Sequence, residues 1–389
     1  MTSRSPRNGY RFREVIERNA TFLGPLVALI LLVALFGTLA PSTFLSSGNI
    51  TNVLSQVSVL AIMAAGLTFV LLLGQIDLSV ASVAILSGIV SAALFSGQPL
   101  TLPIVGAIQA PGQQWLAILL ALVVSVVMGL LSGQLTARYG IPSFIVTLGV
   151  LEMAQGLAFY WSGGKNIYKI APISSTLGNS FLGPLPVIVL VAAVTLLIGH
   201  FVLTWTRFGR YVYMVGANPK AAELSGIAVR RITITVFVIA SALSGLAGLV
   251  AVGRLGSAQA SSGDDLLLPA IAAVVLGGTS LFGGIGSMKH TVIGLLLYGV
   301  LNNGLDQLDI SIYLKPFARG AFLLLAIAFN IAAIRVASRA RSRASTLSEQ
   351  STPAAPPPSQ PVPVAVGHPT IPAPDPASAP VVSGREGEQ

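Results

Sequence analysis

The feature that most constrains this chain is a succession of continuous apolar runs, each close to 20 residues long. The first extends from Thr21 to about Ala40, and comparable runs recur as far as residue 334. A run of this length is what an α-helix needs to cross a bilayer, whereas the strands of a membrane barrel alternate apolar and polar residues. Composition agrees, because 53% of the residues are apolar and only 9% are charged. The sequence therefore predicts an all-α, polytopic membrane helix bundle.

About ten transmembrane helices divide the chain into three regions. We expect a short N-terminal segment at 1–20, a transmembrane domain at 21–334 and a tail at 345–389 that holds 11 of the 24 prolines. Such a tail cannot bury enough apolar surface to offset chain entropy, so disorder is predicted there. The ten predicted spans are 21–40, 53–74, 78–97, 115–137, 142–162, 183–204, 232–253, 266–282, 290–305 and 317–334.

The basic residues predict the orientation of these spans. With the N-terminus inside, 17 of the 22 Lys and Arg residues fall on the cytoplasmic side, as the positive-inside rule requires. The five on the outer side are Lys165, Lys169, Arg254, Lys315 and Arg319. Both termini are therefore predicted to be cytoplasmic. The net charge of +9 then reflects topology and attraction to membrane lipid, and nucleic acid is not an expected partner.

No residue pattern for bond chemistry is visible. The Gly-rich stretch from Leu276 to Gly284 lacks the Lys of a phosphate-binding loop, and no two of the three His residues are spaced as metal ligands. The chain has no cysteine, which removes thiolate metal sites and disulfides. The sequence predicts no cofactor, no metal and no catalytic residue, so we expect no enzymatic activity.

Polar residues within the apolar runs are better candidates, because an unpaired charge in hydrocarbon costs about 2.5 kcal/mol or more. Asp77, flanked by Gln75 and Ser79, separates two apolar runs. It is consistent with an N-cap of the third span, with the lining of a polar pathway through the bundle, or with both. Glu152 lies near the middle of the fifth span, and either a bond to a neighbouring helix or contact with substrate would account for it.

Two further polar groups are candidates for lining the same polar pathway. Asn302 and Asn303 lie toward the outer end of the ninth span, where carboxamides either bind the hydroxyl groups of a polar solute or join helices. Thr279 and Ser280 belong to a weak internal repeat, in which 276–281 resembles 73–78. Both segments close a span that runs inward, which indicates a duplicated core, and transporters tend to bind substrate at such interrupted segments.

The loop after the sixth span contains signals for a short isolated helix. Asn218 is a good N-cap, Pro219 suits the first helical position, and Gly226 suits the left-handed position after the last turn. A helix of about seven residues is predicted. A docking surface for a partner and a simple connector are both consistent with it.

Several motifs in this order resemble those of ribose/xylose-type sugar permease subunits of bacterial ATP-binding-cassette importers. The resemblance extends from about Asn49 to Asn330 and includes Gly216-Ala217-Asn218 and Ser225-Gly226-Ile227. The other motifs are 76–80, 142–149, 270–281 and 301–305.

The resemblance implies a multi-pass protein of the bacterial cytoplasmic membrane that pairs with a second copy of itself. It also implies a cytoplasmic ATP-binding-cassette ATPase subunit and an extracytoplasmic sugar-binding protein as partners. The residues implied in ATPase coupling are Gly216, Asn218, Ala221, Ala222, Glu223, Ser225, Gly226 and Ile227.

Two departures from the family pattern leave the cargo open. Gln75 stands where members commonly have Gly, and Leu267-Leu268-Pro269 replaces an acidic stretch. A pentose or hexose is expected, with a nucleoside or a signalling furanose as alternatives. A different class of function also stays open, namely a proton-coupled secondary carrier with Asp77 or Glu152 as the relay. Such a carrier would need no partner.

Overall fold

The computed structural model describes residues 20–102, 106–261, 264–311, 313–322 and 324–325. Most of the predicted N-terminal segment and the whole Pro-rich tail lie outside these residues. The helices are α1 (Ala20–Leu39), α2 (Pro41–Phe44), α3 (Ser47–Leu72), α4 (Val80–Ser96), α5 (Gln114–Tyr139), α6 (Ser143–Ser162), α7 (Pro172–Asn179), α8 (Val187–Trp205), α9 (Arg207–Ala217), α10 (Pro219–Leu224), α11 (Val229–Leu255), α12 (Asp264–Leu276) and α13 (Met288–Gln307). Residues 315–322 are also helical.

Two short antiparallel hairpins are the strand structure of the described residues. Strand β1 (Leu100–Leu102) pairs with β2 (Gly106–Ile108), and β3 (Phe181–Leu182) pairs with β4 (Leu185–Pro186). Both lie in loops that are predicted to be on the outer side.

The prediction of an all-α polytopic bundle is confirmed. Six described helices are long and apolar enough to cross a membrane, namely α1, α3, α5, α6, α8 and α11. Helix α4 and the apolar part of α12 are shorter and coincide with the third and eighth predicted spans. Helix α13 coincides with the ninth. Most of the tenth, 317–334, lies outside the described residues.

Helix α11 is the packing centre of the bundle, in contact with α3, α4, α5 and α7. Close approach depends on small residues. A Cβ at Gly129 of α5 would lie 2.7 Å from the Phe237 carbonyl oxygen of α11, and one at Gly248 of α11 would overlap the Ala84 carbonyl oxygen of α4. Such contacts take the place of the hydrophobic force that is missing between helices in lipid. They hold α4, α5 and α11 in one rigid core.

Candidate functional site

At the predicted cytoplasmic end of the bundle, three backbone segments meet with no side chain between them. They are the end of α3, the loop between α12 and α13, and the end of α9. The Gly284 N–H donates to the Leu72 carbonyl oxygen at 2.9 Å, and a Cβ at Gly216 would overlap that same oxygen. We call this contact of Leu72, Gly216 and Gly284 the backbone junction. It brings together the ends of the two segments that form the predicted internal repeat.

Tyr213, on α9, adds a side-chain bond to the same junction. Its hydroxyl donates to the Gly286 carbonyl oxygen at 2.9 Å. Burial raises the pKa of the Tyr213 phenol above its ordinary value, so the hydroxyl keeps its proton and remains a donor at neutral pH. Sequence reasoning missed Tyr213, since a tyrosine in an amphipathic loop helix carries no distinguishing local signal.

Helix α10 follows α9 directly and has the predicted local structure. The Asn218 side chain accepts from the Ala221 N–H at 3.0 Å, Pro219 is the first helical residue, and Gly226 has φ +80°. The helix has six residues, one fewer than predicted, because Ser225 is its C-cap. Each of these signals acts within one turn of the chain, which is why the sequence was sufficient to find them.

The side chains of α10 face two directions. Ala222, at 2% exposure, and Ile227 are buried against the protein itself, beside Val212 and Val215 of α9. The methyl group of Ala222 is therefore not accessible to a partner that contacts α10. The exposed members of the predicted coupling loop are Asn218, Ala221, Glu223, Ser225 and Gly226. Gly216 is half-buried, at the backbone junction.

Leu224 is a residue that sequence reasoning missed on this helix. It is 84% exposed, at an end of the bundle that is predicted to face the cytoplasm rather than lipid. The detectable signal was an apolar residue in an otherwise small and polar capped helix. An isolated exposed leucine is common, but here it lies beside the exposed Glu223 on a helix already predicted to contact a partner.

Asp77 is fully buried in the turn between α3 and α4. Its Oδ1 accepts from the Ser79 N–H at 2.9 Å and from the Ser79 hydroxyl at 2.6 Å. Helix α4 begins at Val80 with Ser79 at the N-cap position, so the N-cap interpretation of Asp77, one of the two left open by the sequence, does not hold: Asp77 lies two residues before the N-cap. It closes an Asx-type turn before the helix. Gln75 is half-buried in the same turn.

The turn that holds Asp77 is fixed to helix α6 by two hydroxyl side chains. The Ile76 N–H donates to Ser143 Oγ at 3.0 Å, and the Leu78 N–H donates to Thr147 Oγ1 at 3.1 Å. These bonds satisfy backbone N–H groups of the turn between α3 and α4, which have no partner within either helix. Non-helical backbone at membrane depth needs such partners inside the protein. Ser143 and Thr147 belong to one of the motifs that carry the family resemblance, although they were not predicted as site residues.

Thr279 and Ser280 lie in the loop that contributes Gly284 to the backbone junction. Thr279 is buried, and its hydroxyl oxygen has no hydrogen-bond partner among the described residues. The Ser280 hydroxyl accepts from the Phe282 N–H at 3.1 Å. Ser280 therefore stabilises the loop through a hydrogen bond to its backbone. The buried Thr279 hydroxyl has no such bond with a described residue.

At the predicted outer end, helices α3, α11, α12 and α13 and Arg319 surround a cavity of about 290 Å³, which we call the outer cavity. Its polar lining residues come from four segments. They are Gln56, Arg254, Tyr298, Asn302 and Arg319. The rest of the lining is apolar apart from backbone. Arg254 and Arg319 had been interpreted only as topology signals, since nothing in the sequence places two outer-side charges in one cavity.

The two neighbouring asparagines of α13 have different environments. Asn302 lines the outer cavity, and its Oδ1 is buried without a partner among the described residues. Asn303 is 2% exposed and exchanges two bonds of 2.8 Å with Asn49 of α3. Gln307 also donates to Asn49 Oδ1, at 3.0 Å. Asn303 therefore joins two helices, whereas Asn302 faces the outer cavity.

Glu152 belongs to neither the outer cavity nor the backbone junction. It is exposed near the middle of α6, and it forms no hydrogen bond or ion pair with another described residue. The predicted bond to a neighbouring helix of the same chain is therefore absent from the described part of the chain. The predicted pathway residues do not form one site; they divide between the cytoplasmic end, the outer cavity, the α3–α13 contact and the exposed face of α6.

Comparison with known proteins identifies a family that matches most of this chain. Residues 49–327 match the family described as branched-chain amino acid transport system / permease component. This range includes both the backbone junction and the outer cavity. No solved structure matches the chain.

Individual relatives are named as sugar permeases. The chain is 38% identical to the ribose import permease protein of Haemophilus influenzae, over 77% of this chain and 90% of the relative. It is 33% identical to the D-allose transport system permease protein of Escherichia coli, over 84% and 95% of the two chains. The L-arabinose ABC transporter permease protein of Azospirillum brasilense is 35% identical, over 78% and 86%.

Proposed function

Because this chain belongs to the branched-chain amino acid transport system / permease component family, we propose that it is the membrane-spanning subunit of an ATP-driven importer. Its cargo is a monosaccharide, a pentose or hexose, which the names of the ribose, allose and arabinose relatives support. The permease forms the pathway and hydrolyses no ATP. A cytoplasmic ATP-binding-cassette ATPase supplies the energy, and an extracytoplasmic binding protein delivers the sugar.

The observation that carries the proposal is the connection between α10 and the backbone junction. Helix α10 presents an exposed surface to the cytoplasm, and α9, which precedes it, is held to the ends of α3 and of the α12–α13 loop through Gly216 and Tyr213. Helices α3, α12 and α13 also line the outer cavity. A displacement of α10 by the ATPase therefore reaches the cavity through packed backbone, which deforms little.

Leu224→Glu tests the docking surface. The new carboxylate places a charge on the most exposed apolar residue of α10, and burying an unpaired charge at an interface is costly. We expect the variant to insert normally, to lose co-purification with the ATPase and to lose uptake. Ala222 is unsuitable for this test, because its burial means that a larger residue would also disturb the packing of α9.

Leu182→Glu is the matched control. Leu182 is 68% exposed in a hairpin on the predicted outer side, so the same change there should leave the ATPase bound. If Leu224→Glu retains its ATPase and transports like the wild type, the docking assignment is wrong. Uptake that survives ATP depletion and collapses with an uncoupler would instead support the proton-coupled carrier, which family membership disfavours.

We propose that a second copy of the permease contacts the exposed face of helix α6. A carboxylate exposed to lipid at mid-span costs about 2.5–3.5 kcal/mol, so the exposed Glu152 face requires a partner. Gly149 and Gly156 lie on either side of Glu152 with open space around them, which permits a close helix approach.

Gly149→Leu tests this contact. A bulky residue there removes the close approach without altering the packing of α6 within the chain, so the purified protein should change from dimer to monomer. A dimer that is unaffected would place the second copy on another face.

The predicted topology has its own test. A protease-sensitive tag at residue 389 should be cleaved only from the cytoplasmic side of sealed vesicles.

A further inference from the structure

The outer cavity carries an excess of positive charge. Arg254 and Arg319 both line it, and none of its described lining residues has a carboxylate. Asp306, one turn beyond Asn302 on α13, is already paired with Lys315 at 2.6 Å. Arg254 forms no ion pair with a residue whose side chain the structure describes; the side chains of Asp264 and Asp265 are outside that set. Two half-buried guanidinium groups therefore share a small cavity without a counter-charge from its described lining.

The cavity also contains polar atoms that lack partners. Asn302 Oδ1 and Arg319 Nε are buried and make no hydrogen bond with a described residue. Arg319 Nη1 reaches the Tyr298 hydroxyl at a long 3.4 Å. Buried polar groups are normally paired, and two unpaired groups that line the same cavity indicate a polar occupant. The volume of about 290 Å³ is at the lower end of the range for small-molecule sites.

We infer that the outer cavity selects a monosaccharide that bears a carboxylate, that is, a sugar acid. This inference rests on the proposed function and names the class of its cargo. The planar guanidinium of arginine matches a carboxylate in two parallel hydrogen bonds. Gln56 and Asn302 supply amide groups for the hydroxyls of the ring. A neutral sugar would use the same amides but would leave both positive charges without an anion. A cleft lined by one sign of charge also concentrates ligands of the opposite sign.

D-galacturonate and D-galactose provide a matched pair of probes, since they differ in one carboxylate. The full-length permease is purified in detergent, and thermal stabilisation is measured against the concentration of each sugar. We expect galacturonate to reach half-saturation at a concentration at least about tenfold lower than galactose, the gain that a charge-assisted hydrogen bond provides. Arg254→Gln and Arg319→Gln should each bring this ratio below about threefold.

Lys165→Gln is the control, because Lys165 is an exposed base on the same predicted side and lies outside the cavity. It should keep the wild-type ratio. Should either Gln variant misfold, Arg319→Lys retains the charge without the planar fork, and an intermediate ratio is expected.

Three outcomes would overturn the inference: equal half-saturation by the two sugars in the wild type, stabilisation by neither, or a preference that persists in both Gln variants. ATP-dependent uptake and ATPase co-purification are separate measurements. ATP-driven uptake of galactose with no preference for galacturonate would leave the proposed function intact and remove the sugar acid as its cargo.

Discussion

Tyr213→Phe removes a single hydrogen bond between α9 and the α12–α13 loop. The lost bond joins the Tyr213 hydroxyl to the Gly286 carbonyl oxygen at 2.9 Å, and the aromatic ring stays in place. Because the change is on α9, the exposed surface of α10 is unaltered. We expect the ATPase to remain bound while uptake falls, since the connection from α10 to the backbone junction is weakened and the docking surface is not.

The size of the effect follows from the bond. A neutral hydrogen bond contributes about 0.5–1.5 kcal/mol net. If the bond is present in only one of the two states of the transport cycle, its removal changes their ratio by about twofold to tenfold. Uptake per ATP hydrolysed should decrease within that range. A loss larger than this would indicate that the junction itself had unfolded.

The assay measures sugar uptake and ATP hydrolysis together in proteoliposomes that contain the complete importer. Tyr211→Phe is the control, because Tyr211 lies on the same helix, is 37% exposed and has no hydrogen bond with another described residue. Equal uptake per ATP in the two variants would refute the role of Tyr213. Loss of the ATPase from Tyr213→Phe would show that α9 serves docking rather than transmission.

Three further predictions address the other polar residues and the tail. Asn303→Ala should lower the free energy of unfolding of the purified protein by about 1–3 kcal/mol, because Asn49 loses two of its hydrogen bonds, whereas Asn302→Ala should reduce uptake with little change in melting temperature. Asp77→Ala should reduce uptake and, by leaving the Ser79 N–H and hydroxyl without their acceptor, cost about 1–3 kcal/mol of stability, while Asp77→Asn retains an acceptor and should be milder. Truncation after Ser345 should leave uptake near the wild-type rate, since the tail's composition predicts disorder, and a large loss with normal insertion would contradict this.

The sequence was sufficient for features that depend on local interactions. Apolar length predicted the spanning helices, and the capping residues Asn218 and Gly226 predicted helix α10 to within one residue. The boundary error at Asp77 has a local cause as well. Asp77 and Ser79 are both good capping residues two positions apart, and only the structure shows that the helix starts after the second.

Side-chain environments that depend on the packing of one helix against another could not be predicted from local sequence. Asn302 and Asn303 are adjacent in sequence, yet they point about 100° apart around a helix of 3.6 residues per turn. The partner that distinguishes them, Asn49, is 254 residues away. For the same reason, nothing local indicated that Ala222 faces inward or that Arg254 and Arg319 share a cavity.

The distance along the chain between Asn49 and Asn303 also has a consequence for how the protein is made. At about 5–20 residues per second, the ribosome needs roughly 13–50 s to synthesise the intervening 254 residues. During that interval α3 is already available for insertion, but Asn49 Oδ1 lacks both of its donors on α13. The amide nitrogen of Asn49 has a nearby acceptor in the Phe44 carbonyl, at 2.8 Å, whereas the oxygen depends on interfacial water. The outer end of α3 is therefore expected to stay hydrated until α13 emerges, so that the seam between these two helices closes among the last in membrane assembly.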